Sequence, residues 1–190
     1  MYNIICVTDR RLCEENFLKR LEKIVQTGIK SVILREKDLS DSEYRTLAEE
    51  VVKICHRYGK KCILHSHPDI VGVTGADGVH VTMNDFRRMK NNGIFTGVSC
   101  HSVDEVREAE KFGADYVIAG HIFQTDCKKN LAPRGLEFLS QICNSVEIPV
   151  YAIGGIDNNN IESVIKAGAT GGCIMSGFMR GNISEYQENA

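Results

Sequence analysis

Gly113-Ala114-Asp115-Tyr116-Val117-Ile118-Ala119-Gly120-His121 contains the unit whose repetition decides the fold. A glycine able to take positive φ closes a helix, an apolar run long enough for one buried strand follows, and the run ends in glycine and a polar side chain. The same order recurs outward in both directions. Gly28-Ile29, Gly75-Ala76 and Gly168-Ala169 are read as further helix exits, and eight strands are expected: Ile4 to Thr8, Ser31 to Arg35, Lys61 to His65, Gly78 to Thr82, Thr96 to Cys100, Tyr116 to His121, Val150 to Gly154 and Gly171 to Ser176. Between them lie amphipathic stripes at spacings of three and four, such as Phe17, Leu18, Leu21, Ile24 and Val25, then Leu47, Val51, Val52 and Ile54. Alternation of this kind specifies a parallel sheet covered by helices. Eight strands in an α/β chain of 190 residues predict a single (β/α)8 TIM barrel over residues 1–190, rather than an open doubly wound sheet with fewer strands. The segment from Pro68 to Gly75 leaves room for barely two helical turns, which makes the third unit the weakest.

Composition narrows the partners. The net charge is -2, with 23 basic and 25 acidic side chains and no long run of either sign, so a nucleic-acid partner is not expected. The eight cysteines are scattered without a C-x-x-C pair, and several fall inside apolar runs, where cysteine acts as a small hydrophobe. A reducing, cytoplasmic setting follows, and the N-terminus runs straight into a strand pattern rather than a signal peptide. No apolar stretch approaches the roughly 20 residues of a membrane span.

In a (β/α)8 barrel the residues just after each strand face one mouth, and the loops after strands seven and eight often hold phosphate. Those places read Ala152-Ile153-Gly154-Gly155-Ile156 and Met175-Ser176-Gly177, where bare backbone N–H groups can approach an anion. Strand six is followed by a long polar loop, Gly120-His121-Ile122-Phe123-Gln124-Thr125-Asp126-Cys127-Lys128-Lys129-Asn130. An ordinary histidine titrates near pH 6.5, so His121 is a candidate proton donor or acceptor, with the lysines neutralising a phosphate or carboxylate. The alternative is a buried imidazole satisfied by a carbonyl. Arg35-Glu36-Lys37-Asp38 after strand two reads equally as rim ion pairs or ligand contacts. Ser102 followed by Glu105 is read as a helix cap beside Ser99, Cys100 and His101. His65, His67 and His80 lack a third ligand at diagnostic spacing, so no metal site is expected of them. Cys127 has no evident base and is left as a possible ligand contact.

These landmarks together resemble the thiamine phosphate synthase/TenI superfamily over essentially the whole chain: LREK from Leu34, DGVH from Asp77, GVSCHS from Gly97, GADYV from Gly113, GHIFQTDCKK from Gly120, PRGLEFL from Pro133, IPVYAIGGI from Ile148 and MSG from Met175. Thiamine phosphate synthases join a pyrimidine diphosphate to a thiazole phosphate, with Mg2+ on the leaving diphosphate. Their pattern has Gln before Leu-Arg-Glu-Lys, Asn-Asp-Arg after strand three and Gln-x-Asp after strand four. Here these places read Ile33, His65-Ser66-His67 and Met83-Asn84-Asp85, so of the two metal carboxylates only Asp85 remains. Many TenI-type sequences also keep Asn-Asp-Arg.

The sixth loop of the synthases carries Gly-Pro-Ile-Phe-x-Thr, whereas Gly120-His121-Ile122-Phe123 resembles the TenI-type thiazole tautomerases, in which a histidine shuttles the proton. The resemblance therefore implies an isomerase that aromatises a thiazole carboxylate phosphate tautomer. His121 is its catalytic residue, and Arg35, Lys37, Ser99, Thr125, Lys129, Gly154, Gly155, Ser176 and Gly177 bind the substrate. No cofactor is expected, Mg2+ at Asp85 entering only for a synthase. The expected partner is a small thiazole phosphate, with a homodimer possible and neither nucleic acid nor membrane. A thiamine phosphate synthase and a non-catalytic sensor of thiazole or thiamine phosphates are the competing readings.

Overall fold

The computed structural model describes residues 2–89, 93–125 and 131–186. Eight strands, β1 (Asn3–Val7), β2 (Ser31–Leu34), β3 (Lys61–His65), β4 (Gly78–Thr82), β5 (Thr96–Cys100), β6 (Tyr116–Gly120), β7 (Val150–Ile153) and β8 (Gly171–Ile174), follow one another in a closed barrel. The helices are α1 (Phe17–Val25), α2 (Asp41–Arg57), α3 (Val71–Thr74), α4 (Met83–Phe86), α5 (Val103–Lys111), α6 (Gly135–Cys143), α7 (Ile161–Lys166) and α8 (Ser176–Arg180). The expected (β/α)8 barrel is thus the observed fold. The chain divides into two compact units, Asn3–His80 with the residues from Met175 on, and Val81–Ile174.

In the first unit β1, β2 and β3 pair in parallel, Cys6 beside Val32 and Val32 beside Cys62. Strand alternation sends Val32, Leu34, Cys62 and Leu64 to one face, where all four are fully buried, and α2 packs against both β2 and β3. Ser40 starts α2 with a complete capping box, its hydroxyl accepting from the Glu43 N–H while the Glu43 carboxylate accepts from the Ser40 N–H. Leu18 and Leu47, expected on the apolar stripes, are only partly covered, and Tyr44 and Ala48 are buried instead. The third unit is as short as its sequence implies, with one 3-10 turn (Pro68–Ile70) running into the single turn of α3.

In the second unit β5 pairs with β6, β6 with β7 and β7 with β8, again in parallel. Phe95 stacks on Tyr116, whose ring meets Tyr151 edge-on. Only glycine fits at position 97, because a Cβ there would lie 2.0 Å from Cζ of Tyr116.

A small device repeats in both units. Gly75, Gly113 and Gly168 take positive φ as the exit pattern requires, and the residue two places on returns to the preceding strand: Asp77 N–H to Cys62 O, Asp115 N–H to Thr96 O and Thr170 N–H to Val150 O. The Asp77 and Asp115 carboxylates add a second bond, accepting from the Cys62 and Thr96 N–H groups at 2.7 Å. At Gly28 the return is kept, Lys30 N–H donating to Ile4 O at 2.8 Å, but the positive φ is not. Helix α1 closes at Gln26 in right-handed backbone, and the Thr27 hydroxyl donates to the Ile24 carbonyl at 2.7 Å. Cys6, Cys55, Cys62, Cys100 and Cys173 are buried free thiols, as small hydrophobes inside apolar elements should be. No helix among the described residues is long and apolar enough to cross a membrane.

His65 and His80 are register partners on β3 and β4, with ring centroids 6.2 Å apart. Burial pushes the His80 imidazole down to about 3, with His65 adding to it. Burial first, then the charges of Arg35 and Lys37, push His65 down to about 4. Both rings fold neutral, whereas the unfolded chain takes up these protons near pH 6.5. Stability should therefore be full above about pH 6.5 and decline toward pH 4, by up to about 1.4 kcal/mol per pH unit for a fully titrating group. Urea unfolding followed from pH 7.5 down to 4.5 should show this slope, and His80→Leu should flatten it.

Candidate functional site

The first unit organises its strand ends around one buried carboxylate. Glu36, with a side chain 0% exposed, follows β2 and accepts from the Thr8 hydroxyl at 2.6 Å, from the Arg10 N–H at 3.0 Å and from Arg10 Nη1 at 3.2 Å. The Thr8 hydroxyl in turn accepts from the Arg35 N–H at 2.9 Å, so the backbone at Arg35 is fixed from the tip of β1. Arg10 also grips both oxygens of Asp38, at 2.7 and 2.9 Å, and Arg11 pairs with Asp9. These pairs hold Asp9 and Asp38 below the usual carboxylate range. Half of Arg35-Glu36-Lys37-Asp38 is therefore rim ion pairing. The two cations stand apart from it: neither the Arg35 nor the Lys37 side chain has an ion pair or hydrogen bond among the described residues. The charge of Arg35 is the first cause, ahead of burial, that lowers the Lys37 ammonium.

Beside this corner, Tyr44 reaches from α2 to join β2 and β3. Its hydroxyl donates to the Leu34 carbonyl at 2.6 Å and accepts from the His65 N–H at 3.0 Å, while its ring stacks on His67 at 3.9 Å. Ser66 has a φ of 64°, its N–H donates to the His80 carbonyl at 2.9 Å, and its hydroxyl lies 3.0 Å from Nδ1 of His65. Later in the same unit, Ser176 is the exposed first residue of α8 and Gly177 follows it. Arg20 holds the far end of that helix by donating to the carbonyls of Phe178, at 2.7 Å, and Gly181.

The second unit packs the loop after β6 onto the loop after β7. Ile122 N–H donates to Ile153 O at 2.9 Å and Phe123 N–H to Gly154 O at 3.0 Å. Gly154 and Gly155 have φ of 98° and 66°, and a Cβ on them would lie 2.3 Å from the His121 Cβ and 2.5 Å from the Gln124 carbonyl oxygen, respectively. Close approach thus demands both glycines. Asn160 sets the turn by donating to Gly155 O at 2.7 Å and accepting from the Asp157 N–H at 3.0 Å. Neither the Gly154 nor the Gly155 N–H has a backbone partner among the described residues, the disposition an anion seat uses.

His121 follows β6 directly. Its residue is 5% exposed, and Nε2 lies 3.2 Å from the Leu131 carbonyl, so the imidazole is a buried group satisfied by backbone. Its main chain anchors the start of α6, accepting from the Arg134 N–H while Ile122 O accepts from the Gly135 N–H. Ser99 is half-buried in β5 and Thr125 half-buried in the loop after β6, whereas Lys129 and Cys127 lie outside the described residues. Ser102 caps α5 as expected, accepting from the Glu105 N–H, although the Glu105 carboxylate returns to the His101 N–H. Asp85 is the third residue of α4 in a cap with Thr82, its Oδ2 accepting from that hydroxyl at 2.7 Å. Thr8, Tyr44 and Asn160 were missed by sequence reasoning. Thr8 alone left a signal, a hydroxyl directly after the apolar run of β1.

Comparison with known proteins supplies the chemistry. The family profile of thiamine monophosphate synthases matches residues 4–178. The chain is 38% identical over 180 residues to a putative thiamine-phosphate synthase 2 of Aquifex aeolicus, covering 93% of this chain and 97% of that one. It is 36% identical to the thiamine-phosphate synthase of Fusobacterium nucleatum over 93% of this chain and 88% of the other. Among solved structures, a thiamine phosphate pyrophosphorylase from Pyrococcus furiosus superposes with a TM-score of 0.84 at 29% identity, covering 97% of this chain and 91% of that one.

These names overturn the thiazole tautomerase expected from the sixth loop. The relatives similar along nearly the whole chain are synthases, which are transferases and not isomerases. One histidine in a loop motif carried that expectation, and this histidine is engaged in packing. The buried Glu36 network yields a stability prediction. Glu36→Gln leaves the Arg10 guanidinium without its inner partner and should lower unfolding free energy by about 3 kcal/mol, whereas Glu162→Gln, removing an exposed pair with Lys166, should leave it unchanged within error. Urea titration of both variants measures the difference.

Proposed function

The chain belongs to the thiamine monophosphate synthase family, and we propose on that footing that it is a transferase joining a pyrimidine diphosphate to a thiazole phosphate. One observation carries this reading: similarity to the synthases spans 93% of the chain in both relatives rather than a single motif. The reaction is a substitution at the carbon bearing the diphosphate. The diphosphate leaves with the bonding electron pair and the thiazole takes its place.

Such a substitution needs the growing charge on the leaving group met by fixed positive charge. In this reading Arg35 and Lys37, at the end of β2, meet it, the first held in place through its N–H on Thr8. The Gly154 and Gly155 N–H groups, fixed by Asn160, take the ester phosphate of the thiazole, with Ser99, Thr125, Lys129, Ser176 and Gly177 as further substrate contacts. His121 has no proton to move in this reaction and serves to hold the sixth loop.

The family resemblance implies Mg2+, which when bound would neutralise charge on the diphosphate. The residues present do not fit it as the family pattern does. Ser66 stands at the place of one carboxylate, Asp85 has one oxygen committed to Thr82, and no group of three His, Cys, Asp or Glu side chains suited to a metal occurs among the described residues.

Incubating the protein with the two substrates in Mg2+ buffer should release thiamine phosphate and diphosphate in equal amounts. A folded protein that makes neither is not this transferase. Arg35→Gln should lower kcat/KM by about 10²-fold or more without shifting the unfolding midpoint appreciably.

A further inference from the structure

The corner where β2 and β3 end has kept its cations and lost a carboxylate. Leu34 and Leu64 are register partners, so Arg35 and His65 leave the two strands side by side, with His80 next to His65. The neighbouring acids are committed elsewhere: Asp9 to Arg11, Glu36 to Thr8 and Arg10, and Asp38 to Arg10. Burial keeps His65 and His80 neutral at physiological pH, so they add hydrogen-bonding groups and no charge. What remains is two like charges near one another, neither in an ion pair or hydrogen bond among the described residues, with Asp9, itself bound to Arg11, the acid whose charge Arg35 still feels.

Ser66 makes this more than a chance substitution. Its φ of 64° is the left-handed region, which aspartate and asparagine tolerate better than serine because their side chains bond locally to the backbone. The backbone here would accept the family's aspartate more readily than the residue it has. The absence of a carboxylate is therefore not forced by conformation. The hydroxyl instead turns to Nδ1 of His65 at 3.0 Å, an uncharged pairing.

We propose that this corner seats a diphosphate directly on Arg35 and Lys37 with no divalent cation between the anion and residue 66. A metal-free diphosphate is more negative than its magnesium complex, and a site with two unpaired cations and one carboxylate fewer is complementary to the free form. The inference rests on the synthase reading only for the identity of the anion.

Calorimetric titration of inorganic diphosphate into the full chain, once with EDTA and once with excess Mg2+, tests it. Excess Mg2+ should not tighten binding and should weaken it as it withdraws the free anion, and Arg35→Gln should weaken metal-free binding by about tenfold or more. Ser66→Asp, which the backbone favours, should weaken metal-free binding by about tenfold and make Mg2+ restore it. Wild-type affinity that tightens more than threefold with Mg2+, no binding in EDTA, or an Arg35→Gln variant that binds as wild type each overturns the proposal. Thiamine phosphate formation is scored separately. Turnover with metal-dependent diphosphate binding sinks this inference and leaves the synthase reading, while metal-free binding without product does the reverse.

Discussion

Taking a carboxylate out of solvent is costly unless donors surround it, and Glu36 is surrounded by the Thr8 hydroxyl, the Arg10 N–H and the Arg10 guanidinium. That requirement pins the tip of β1 to the tip of β2. Once Thr8 is committed to Glu36, its hydroxyl oxygen also receives the Arg35 N–H. Arg10, held by Glu36, also bonds both oxygens of Asp38. One buried acid thus sorts the charges of its segment into a structural set and a free set. Only the free set can meet a ligand.

The second unit solves its placement problem by backbone contact. The loop after β6 lies against the loop after β7 through Ile122 and Phe123, and glycines at 154 and 155 make the approach possible. Both take positive φ, and Asn160 ties down the Gly155 carbonyl. The same packing encloses His121. Its imidazole Nε2 lies 3.2 Å from the Leu131 carbonyl.

The end of β3 departs from the pattern that the family resemblance implies. Of the residues that differ, Ile33 and Met83 are buried, His65 and His67 half-buried and Ser66 exposed. Tyr44 stacks on His67 and bridges Leu34 to His65. A neutral, packed wall stands beside two unpaired cations, an electrostatic balance unlike that of a site holding two acids and a metal.

Apolar runs, glycine exits and helical stripes are local features, and local features determined the barrel: all eight strands lie where the alternation puts them, within two residues at each end. The Ser102 cap was legible for the same reason, since helix starts are marked in the chain itself. Which of four consecutive charges is buried, whether an imidazole is satisfied by a carbonyl ten residues on, and that a tyrosine of α2 ties two strands together were not. Those depend on partners distant in sequence, and burial is a property of the packed chain, so only the tertiary structure could decide them.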